Sequence, residues 1–370
     1  MRVVILSTAD FDSAVWTNKQ HLARELSRHI PVTYIESFGL RQPTLRAADI
    51  RRILGRLRSS RNDTTSRRNT WGVEIVHPIV IPFHGVAPVR RVNKHLVERL
   101  PIEGGEDAVL WTFSPITYGL EHRFARTVYH SVDLLHTQPG VPREVCLAAE
   151  AALLTKADAV IASSTGVRDH LCSAGRGDAL LWENVADTAL FEAAKEVRQP
   201  RAVFAGNLTE SKVDFTLLRS LANAGVHVIV AGPTSVDGTS AQREMKELLA
   251  SPGIEYVGNL APTELARVLA SSMVGLIPYQ LNEHTAGIFP MKVYEYLAAG
   301  LRVVSTALPS LELTASDDVV LTEGEEFIRA VSEGIKNWTE QAAARRRTAA
   351  RSHSWQARGT QALALIDGLL

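Results

Sequence analysis

The segment HTAGIFPMKVYEYLAAGLRVVST, residues 284–306, concentrates groups suited to an anion. Thr285, Ala286, Gly287 and Ile288 read as a turn of mostly small residues before a helix that starts near Pro290. The first N–H groups of a helix lack intrahelical partners and carry partial positive charge, which suits a phosphate. A proline in the first turn gives up an N–H that is orphaned anyway. Lys292 adds a full positive charge. Glu295, on the same face one turn later, offers a carboxylate that can accept two hydrogen bonds from a ribose diol. The same residues also make a capped helix with a solvated Lys and Glu, and spacing alone leaves both readings open.

The elements that must hold these residues follow from length and periodicity. A chain of 370 residues suggests about two domains. Short apolar runs at Val3–Leu6, Val32–Ile35, Val73–Val76, Ala108–Trp111, Thr127–Tyr129, Ala159–Ala162 and Ala179–Trp182 alternate with helix-like stretches. The alternation restarts with strands at Ala202–Ala205, Val226–Ala231, Glu255–Val257, Val274–Pro278 and Arg302–Ser305. Strand and helix at this spacing predict an α/β protein, two doubly wound parallel sheets in series. The expected division is 1–185, 199–340 and a closing helical stretch 341–370, with a connector at 183–200 and Arg345–Arg347 exposed. In open parallel sheets the ligand lies beyond the carboxyl ends of the strands. That points to the loops after Leu6, Trp111, Tyr129, Ala205, Ala231, Val257 and Pro278.

Composition removes several classes. Forty basic and forty acidic residues give no formal net charge, which speaks against a general nucleic-acid binder. Two cysteines without a CxxC or a nearby His pair exclude a disulfide framework or a cysteine zinc site. No apolar run approaches about 18 residues, so no membrane span is expected. The opening MRVVILSTADFDS reads as a buried strand rather than a signal segment. The expected compartment is the cytoplasm. An NAD enzyme is disfavoured, because the first strand leads into STADFDS rather than GxGxxG.

The string PMKVYEYLAAGLRVVST (290–306) resembles the nucleotide-diphosphate-sugar motif of GT-B glycosyltransferases, in the group of glycosyltransferase families 1 and 4. The broad retaining branch carries two glutamates eight positions apart. Here Glu295 takes the second place and Gly287 the first. The P-x-K-x-x-E-Y-L-A-A-G form is similar instead to a subgroup that includes teichuronic-acid-type transferases and the xanthan glucuronosyltransferase. In the latter a Met-Lys pair contacts the nucleotide, and Met291 and Lys292 match it. Other segments agree: SAVWTNKQHLARELSRHIPVTYIES (13–37), VLWTFSPI (109–116), VYHSVDLLHTQPG (128–140), ENVADTALF (183–191), FAGNLTESKVDFTLL (204–218) and HSW (353–355). In the fifth, Lys212 is retained and Asn207 replaces an arginine. The resemblance thus spans nearly the whole chain and implies two Rossmann-like domains facing across a cleft.

Glycosyl transfer asks for electrostatic stabilisation of the leaving diphosphate, a base for the acceptor hydroxyl if the reaction inverts, and positioning of both substrates. Lys292, the amides of Ala286–Ile288 and Lys212 are the candidates for the first. Gly206, Asn207, Thr285 and Glu283 are expected on the donor side, and Val257, Gly258 and Asn259 beside the nucleobase. No DxD triplet is present, so no metal is expected at the diphosphate; no cofactor is expected beyond the nucleotide sugar itself. Asp133 is the candidate base by its match to the inverting relative. His130 and His136 compete because histidine has the better unperturbed pKa, and a cap or turn role for Asp133 is the bland alternative. The loop after the first strand places Asp12, Trp16 and Thr17 on the acceptor side. Trp16 fits a core position as well as a sugar-stacking one.

Residues 41–68 hold nine arginines against Asp49 and Asp63. A basic amphipathic helix over 41–58 suits an anionic membrane surface, which would serve a glycan or lipid-linked acceptor at the inner face of the cell membrane. A solvated helix is the alternative. Two other functions share these features: a catalytically inactive sugar-nucleotide-binding partner subunit, and a nucleotide-sugar epimerase of the same fold.

Overall fold

The computed structural model describes residues 1–13, 16–41, 67–138, 140–236, 239–240 and 242–370. The expected basic helix over 41–58 lies, apart from Arg41, outside these described residues. Two compact units emerge: Met1–Glu183 with Arg358–Leu370, and Asn184–Ala357.

The first unit carries eight strands: β1 (Arg2–Leu6), β2 (Val32–Ile35), β3 (Arg67–Arg68), β4 (Glu74–Val76), β5 (Gly105–Thr112), β6 (Phe124–Ser131), β7 (Ala159–Ala162) and β8 (Leu180–Leu181). Their order is β3-β4-β2-β1-β5-β6-β7-β8. Every pairing is parallel except β3 with β4. Successive strand side chains point to opposite faces, and both faces are apolar. Val3, Ile5, Val109 and Trp111 pack with Leu22 and Leu26 of the helix Asn18–Ser27 and with Ala362 and Ile366 of the last helix, Trp355–Leu369. Val4, Leu6 and Leu110 pack on the other side with Val97 and Leu120. A parallel sheet buried on both faces needs such continuous apolar runs, which is why they stand out in the sequence.

The second unit holds β9 (Arg201–Ala205), β10 (His227–Ala231), the small antiparallel pair β11 (Ser235–Val236) and β12 (Thr239–Ser240), β13 (Ile254–Gly258), β14 (Val274–Ile277), β15 (Arg302–Ser305) and β16 (Val319–Leu321). Its main sheet runs β13-β10-β9-β14-β15-β16, all parallel. The expected α/β class with two doubly wound sheets is borne out. β3, β16 and the β11–β12 pair are not among the strands expected from the sequence.

Three local expectations change. The connector region contains a helix, Thr188–Ala193, with Phe191 buried in the second core. The stretch 340–370 is two helices, Glu340–Ala350 and Trp355–Leu369, separated by a 3-10 turn. Arg346 is buried, not exposed: its guanidinium donates to Asp318 at 2.8 Å and to the Gly300 carbonyl at 3.3 Å. Asp318 also takes Arg345, and an acid bridging two arginines can hold one of them inside.

Candidate functional site

In the second unit the carboxyl ends of three strands are bound together. The Gly206 N–H donates to Ala231 O at 2.9 Å, and the Gly232 N–H to Gly258 O at 2.8 Å. Gly232 has φ +135°, and a Cβ there would stand 2.0 Å from Gly206 O. Only glycine permits that close approach. Gly206, Gly258 and half-buried Val257 therefore lie on neighbouring strand ends, with Asn207 and Asn259 exposed beside them.

The helix carrying Lys292 spans Lys292–Ala298 with Met291 as its N-cap residue, so it starts two residues beyond Pro290. Tyr296 places it. Its ring lies where a Cβ on Gly275 of β14 would meet it at 2.3 Å, and its hydroxyl accepts the Ala205 N–H at 2.9 Å. Gly300 ends the helix at φ +84°, with bonds from Gly300 to Leu297 and from Leu301 to Tyr296 that form a Schellman closure. The free N–H groups of the first turn, Met291 and Lys292, have no preceding helical carbonyl.

Lys292 and Glu295 are not a solvated pair. Lys292 Nζ lies 2.8 Å from Glu295 Oε2, and Glu295 is buried. Burial alone would lower the lysine's pKa, but the neighbouring carboxylate outweighs it and the net direction is up. Lys212 packs on Tyr279, its ammonium 4.6 Å from the centre of that ring. A bridge between Val213 and Tyr279, and a bond from the Gln280 N–H to Lys212 O at 2.9 Å, hold the two segments together beyond the ends of β9 and β14.

Residues 285–288 are not the open turn expected. Asn282 caps a short helix, Glu283–Ala286, by accepting the Thr285 N–H at 3.0 Å. The Ala286 N–H donates to Asn282 O and the Ile288 N–H to Thr285 O. Those amides are engaged within the loop. Asn at a cap with Thr three residues on nucleates such a turn, a signal the sequence contained. Gly287 closes it at φ −83°, Glu283 is exposed and Thr285 is buried.

In the first unit Asp133 follows β6 and is half-buried. It caps nothing: the 3-10 turn Leu135–Thr137 begins at Leu134 without a side-chain cap. Facing it is a residue that sequence reasoning missed, Lys19, fully inside the fold near the start of the helix Asn18–Ser27. Burial lowers the Lys19 pKa, and the charge of Asp133 opposes that shift. Its ammonium also lies 5.8 Å from the Phe113 ring centre. Nothing local flags Lys19, because helix-surface lysines are common and its contact with Phe113 joins segments far apart in sequence.

Both candidate histidines are buried. His130 lies within β6, 4% exposed, among the rings of Trp111, Phe113 and Trp182 at 6.0, 4.9 and 6.2 Å. Neither ring nitrogen has a hydrogen-bond partner among the described residues. Burial above all, with Arg358 and Lys19 adding, drives its pKa well down, so the ring is neutral and enclosed. His136 is buried against His170, ring centres 4.8 Å apart. Of the acceptor-side candidates, Asp12 is exposed. The Thr17 N–H donates to Gln20 at the start of the first helix. Trp16 packs on Phe11 and Trp71 at 5.3 and 5.0 Å, the core-like alternative.

Known proteins are similar to this chain in sequence or in fold. Residues 215–364 match the family described as glycosyl transferase-like. A Bacillus subtilis (strain 168) protein named as a teichuronic acid biosynthesis glycosyltransferase, TuaH, is 28% identical over 232 residues, 58% of this chain. The chain spans about 57% of the length of that relative. Among solved structures, sucrose-phosphate synthase from Thermosynechococcus elongatus aligns with TM-score 0.73 at 15% identity, over 100% of this chain and 98% of that one. Anabaena HepE in complex with UDP aligns with TM-score 0.67 at 14% identity, over 99% of each. The UDP-forming α,α-trehalose-phosphate synthase from Burkholderia vietnamiensis aligns with TM-score 0.66 at 12% identity, over 99% of this chain and 96% of that one.

Proposed function

Proceeding from a chain of GT-B fold whose residues 215–364 match the glycosyl transferase-like family, we propose that it transfers a sugar from a nucleoside-diphosphate sugar to a hydroxyl of a glycan or lipid-linked acceptor. The observation that carries this is Lys292 at the start of the helix that follows Met291, with Lys212 held on the ring of Tyr279 beyond the ends of β9 and β14 in the same unit. Two ammonium groups and unpaired helix N–H groups are what a departing diphosphate requires. Uridine is the proposed base, supported by the complex of HepE with UDP.

In the proposed step Asp133 accepts the acceptor's hydroxyl proton while that oxygen bonds to the anomeric carbon. The bond from that carbon to the diphosphate breaks, and the leaving oxygens are met by Lys292 and Lys212. Attack opposite the leaving group inverts the configuration. Met291 and the Gly206 and Gly258 strand ends border the nucleotide, with Glu295 at the ribose side. The lysines take the place of a metal at the diphosphate, and the acceptor loop is that of Asp12–Thr17. Synthesis of a surface polysaccharide or glycolipid at the inner face of the membrane fits this chemistry and the relative TuaH. Among the described residues no helix is long and apolar enough to cross a membrane.

A ligand that binds the native state raises its melting temperature. Thermal unfolding with UDP, GDP and dTDP is expected to show the largest rise with UDP. Turnover of a UDP-sugar panel with membrane lipid extract should follow. No rise with any nucleotide sinks the donor site. Binding without turnover favours the inactive partner subunit instead.

A further inference from the structure

Three side chains of the first unit converge without a role in the reaction above. His136 comes from the 3-10 turn after β6, Glu150 from the helix Arg143–Leu154 and His170 from the helix Thr165–Ser173. One donor atom from each lies within 4.8 Å of the other two. His136 and Glu150 are 8% and 7% exposed, and His170 is half-buried. We propose that His136, Glu150 and His170 form a binding site for a single zinc-class divalent cation that ties the Asp133 loop to the two helices.

The donor set fits such an ion. Two imidazoles and one carboxylate from three elements, with a fourth position left to water, are a recurrent zinc shell. At about 2.0–2.1 Å from a tetrahedral ion the donors stand roughly 3.3 Å apart, so a closure of about 1.5 Å or less completes the site. His170 Nε2 now lies 2.6 Å from Glu150 Oε2. The proton between them holds the place a cation would take, and metal ions displace such protons. The other oxygen, Oε1, accepts the Tyr129 hydroxyl at 2.6 Å. A hydrogen-bonded carboxylate oriented from behind is the usual support of a ligating one. A simple ion pair would need only one histidine. Here a second imidazole lies against the first, ring centres 4.8 Å apart and tilted at 33°, so two ring nitrogens and the carboxylate converge on one place.

The ligands all come from the first unit, whereas Lys212 and Lys292 belong to the second. The ion's effect is positional: His136 stands three residues after Asp133 and fixes the loop that carries it. The site therefore stands or falls independently of glycosyl transfer.

The test uses the full chain, stripped with a chelator and titrated with Zn²⁺ alone by calorimetry. One equivalent is expected to bind. His136→Ala and Glu150→Gln should each weaken binding at least tenfold, and Tyr129→Phe by up to about tenfold. His95→Ala, on an exposed helix face, should leave it unchanged. Far-UV circular dichroism checks that each variant is folded. Co²⁺ added to the unaltered chain supplies a readout that needs no variant. It should give the visible bands of a four-coordinate nitrogen–oxygen site, without the thiolate band that Cys146 ligation would add. Absence of saturable Zn²⁺ binding, binding that survives His136→Ala, or a Co²⁺ spectrum of a fully hydrated ion would overturn the proposal.

Discussion

Each unit sets a lysine against a carboxylate beyond the ends of its strands, and the two pairs behave in opposite ways. Lys292 and Glu295 are neighbours on one helix, three residues apart and in direct contact at 2.8 Å. The carboxylate raises the lysine's pKa in spite of burial. Lys19 and Asp133 come from different elements and act on one another through space, and burial wins, lowering the lysine's pKa. A contact ion pair compensates its own desolvation; a longer-range pair does not. Lys292 is thus a committed cation suited to an anionic ligand. Asp133 is half-buried after β6 and is not the N-cap of the 3-10 turn that follows it.

The largest expected effect breaks the comparison on the first-unit side. Asp133→Asn should reduce transfer by about 10³-fold, the usual scale of a positioned base, while the UDP-induced rise in melting temperature is retained. Near-normal turnover in that variant would remove Asp133 from the mechanism.

Next in size is Lys292→Met. It leaves Glu295 buried without its partner, so stability should fall by about 1–3 kcal/mol, somewhat below the cost of breaking a fully buried pair. UDP affinity should weaken roughly tenfold or more, as for loss of a charge-assisted contact. Denaturant titration and calorimetry read the two effects separately. An unchanged UDP affinity would make the pair purely structural.

The same substitution at the other lysine should act with the opposite sign. Lys19→Met removes a buried charge and is expected to raise the melting temperature slightly at neutral pH. The pH dependence carries a sharper mark. The folded-state pKa of Lys19 lies below its ordinary value of 10.5, so above the folded pKa the unfolded chain binds more protons. Stability from this group therefore rises with pH until about 10.5. Lys19→Met should flatten that alkaline slope. A slope that persists unchanged would show that Lys19 is not the group responsible.

The smallest effect lies at Glu121, held by Lys156 at 2.7 Å and by the Thr117 hydroxyl. Burial pushes its pKa up, but these bonds prevail and the net direction is down from 4.5. Its stabilisation is complete above about 4.5 and is lost as pH falls through the folded value. Glu121→Gln should shallow the acid limb of a stability–pH curve and leave UDP binding untouched.

Much of the fold was legible because it is written in local periods. The apolar runs of β1, β2, β5, β6, β7, β9, β10, β14 and β15 each announce a strand buried on both faces. The site was legible in part. Lys292 and Glu295 fall on one helical face by spacing alone, and Lys212 was named for the diphosphate from the resemblance, without the tyrosine it packs on. The expected turn at 285–288 failed on a cap: Asn282 and Thr285 close one helical turn and engage the amides assigned to the anion. His130 failed on depth, since one residue's shift along a strand exchanges a loop position for a place among three aromatic rings.

The sequence by itself determined two parallel-sheet units, the glycine at each critical strand end and the Lys292–Glu295 spacing. Those features depend on side-chain period, missing Cβ atoms and contacts within one turn, all local quantities. Only the tertiary structure decided that Lys19 is buried within the electrostatic reach of Asp133, that Lys212 lies over the Tyr279 ring, and that His136, Glu150 and His170 meet. Burial and the choice of a charged partner are set by whichever distant element packs alongside, and no window of the chain contains both partners.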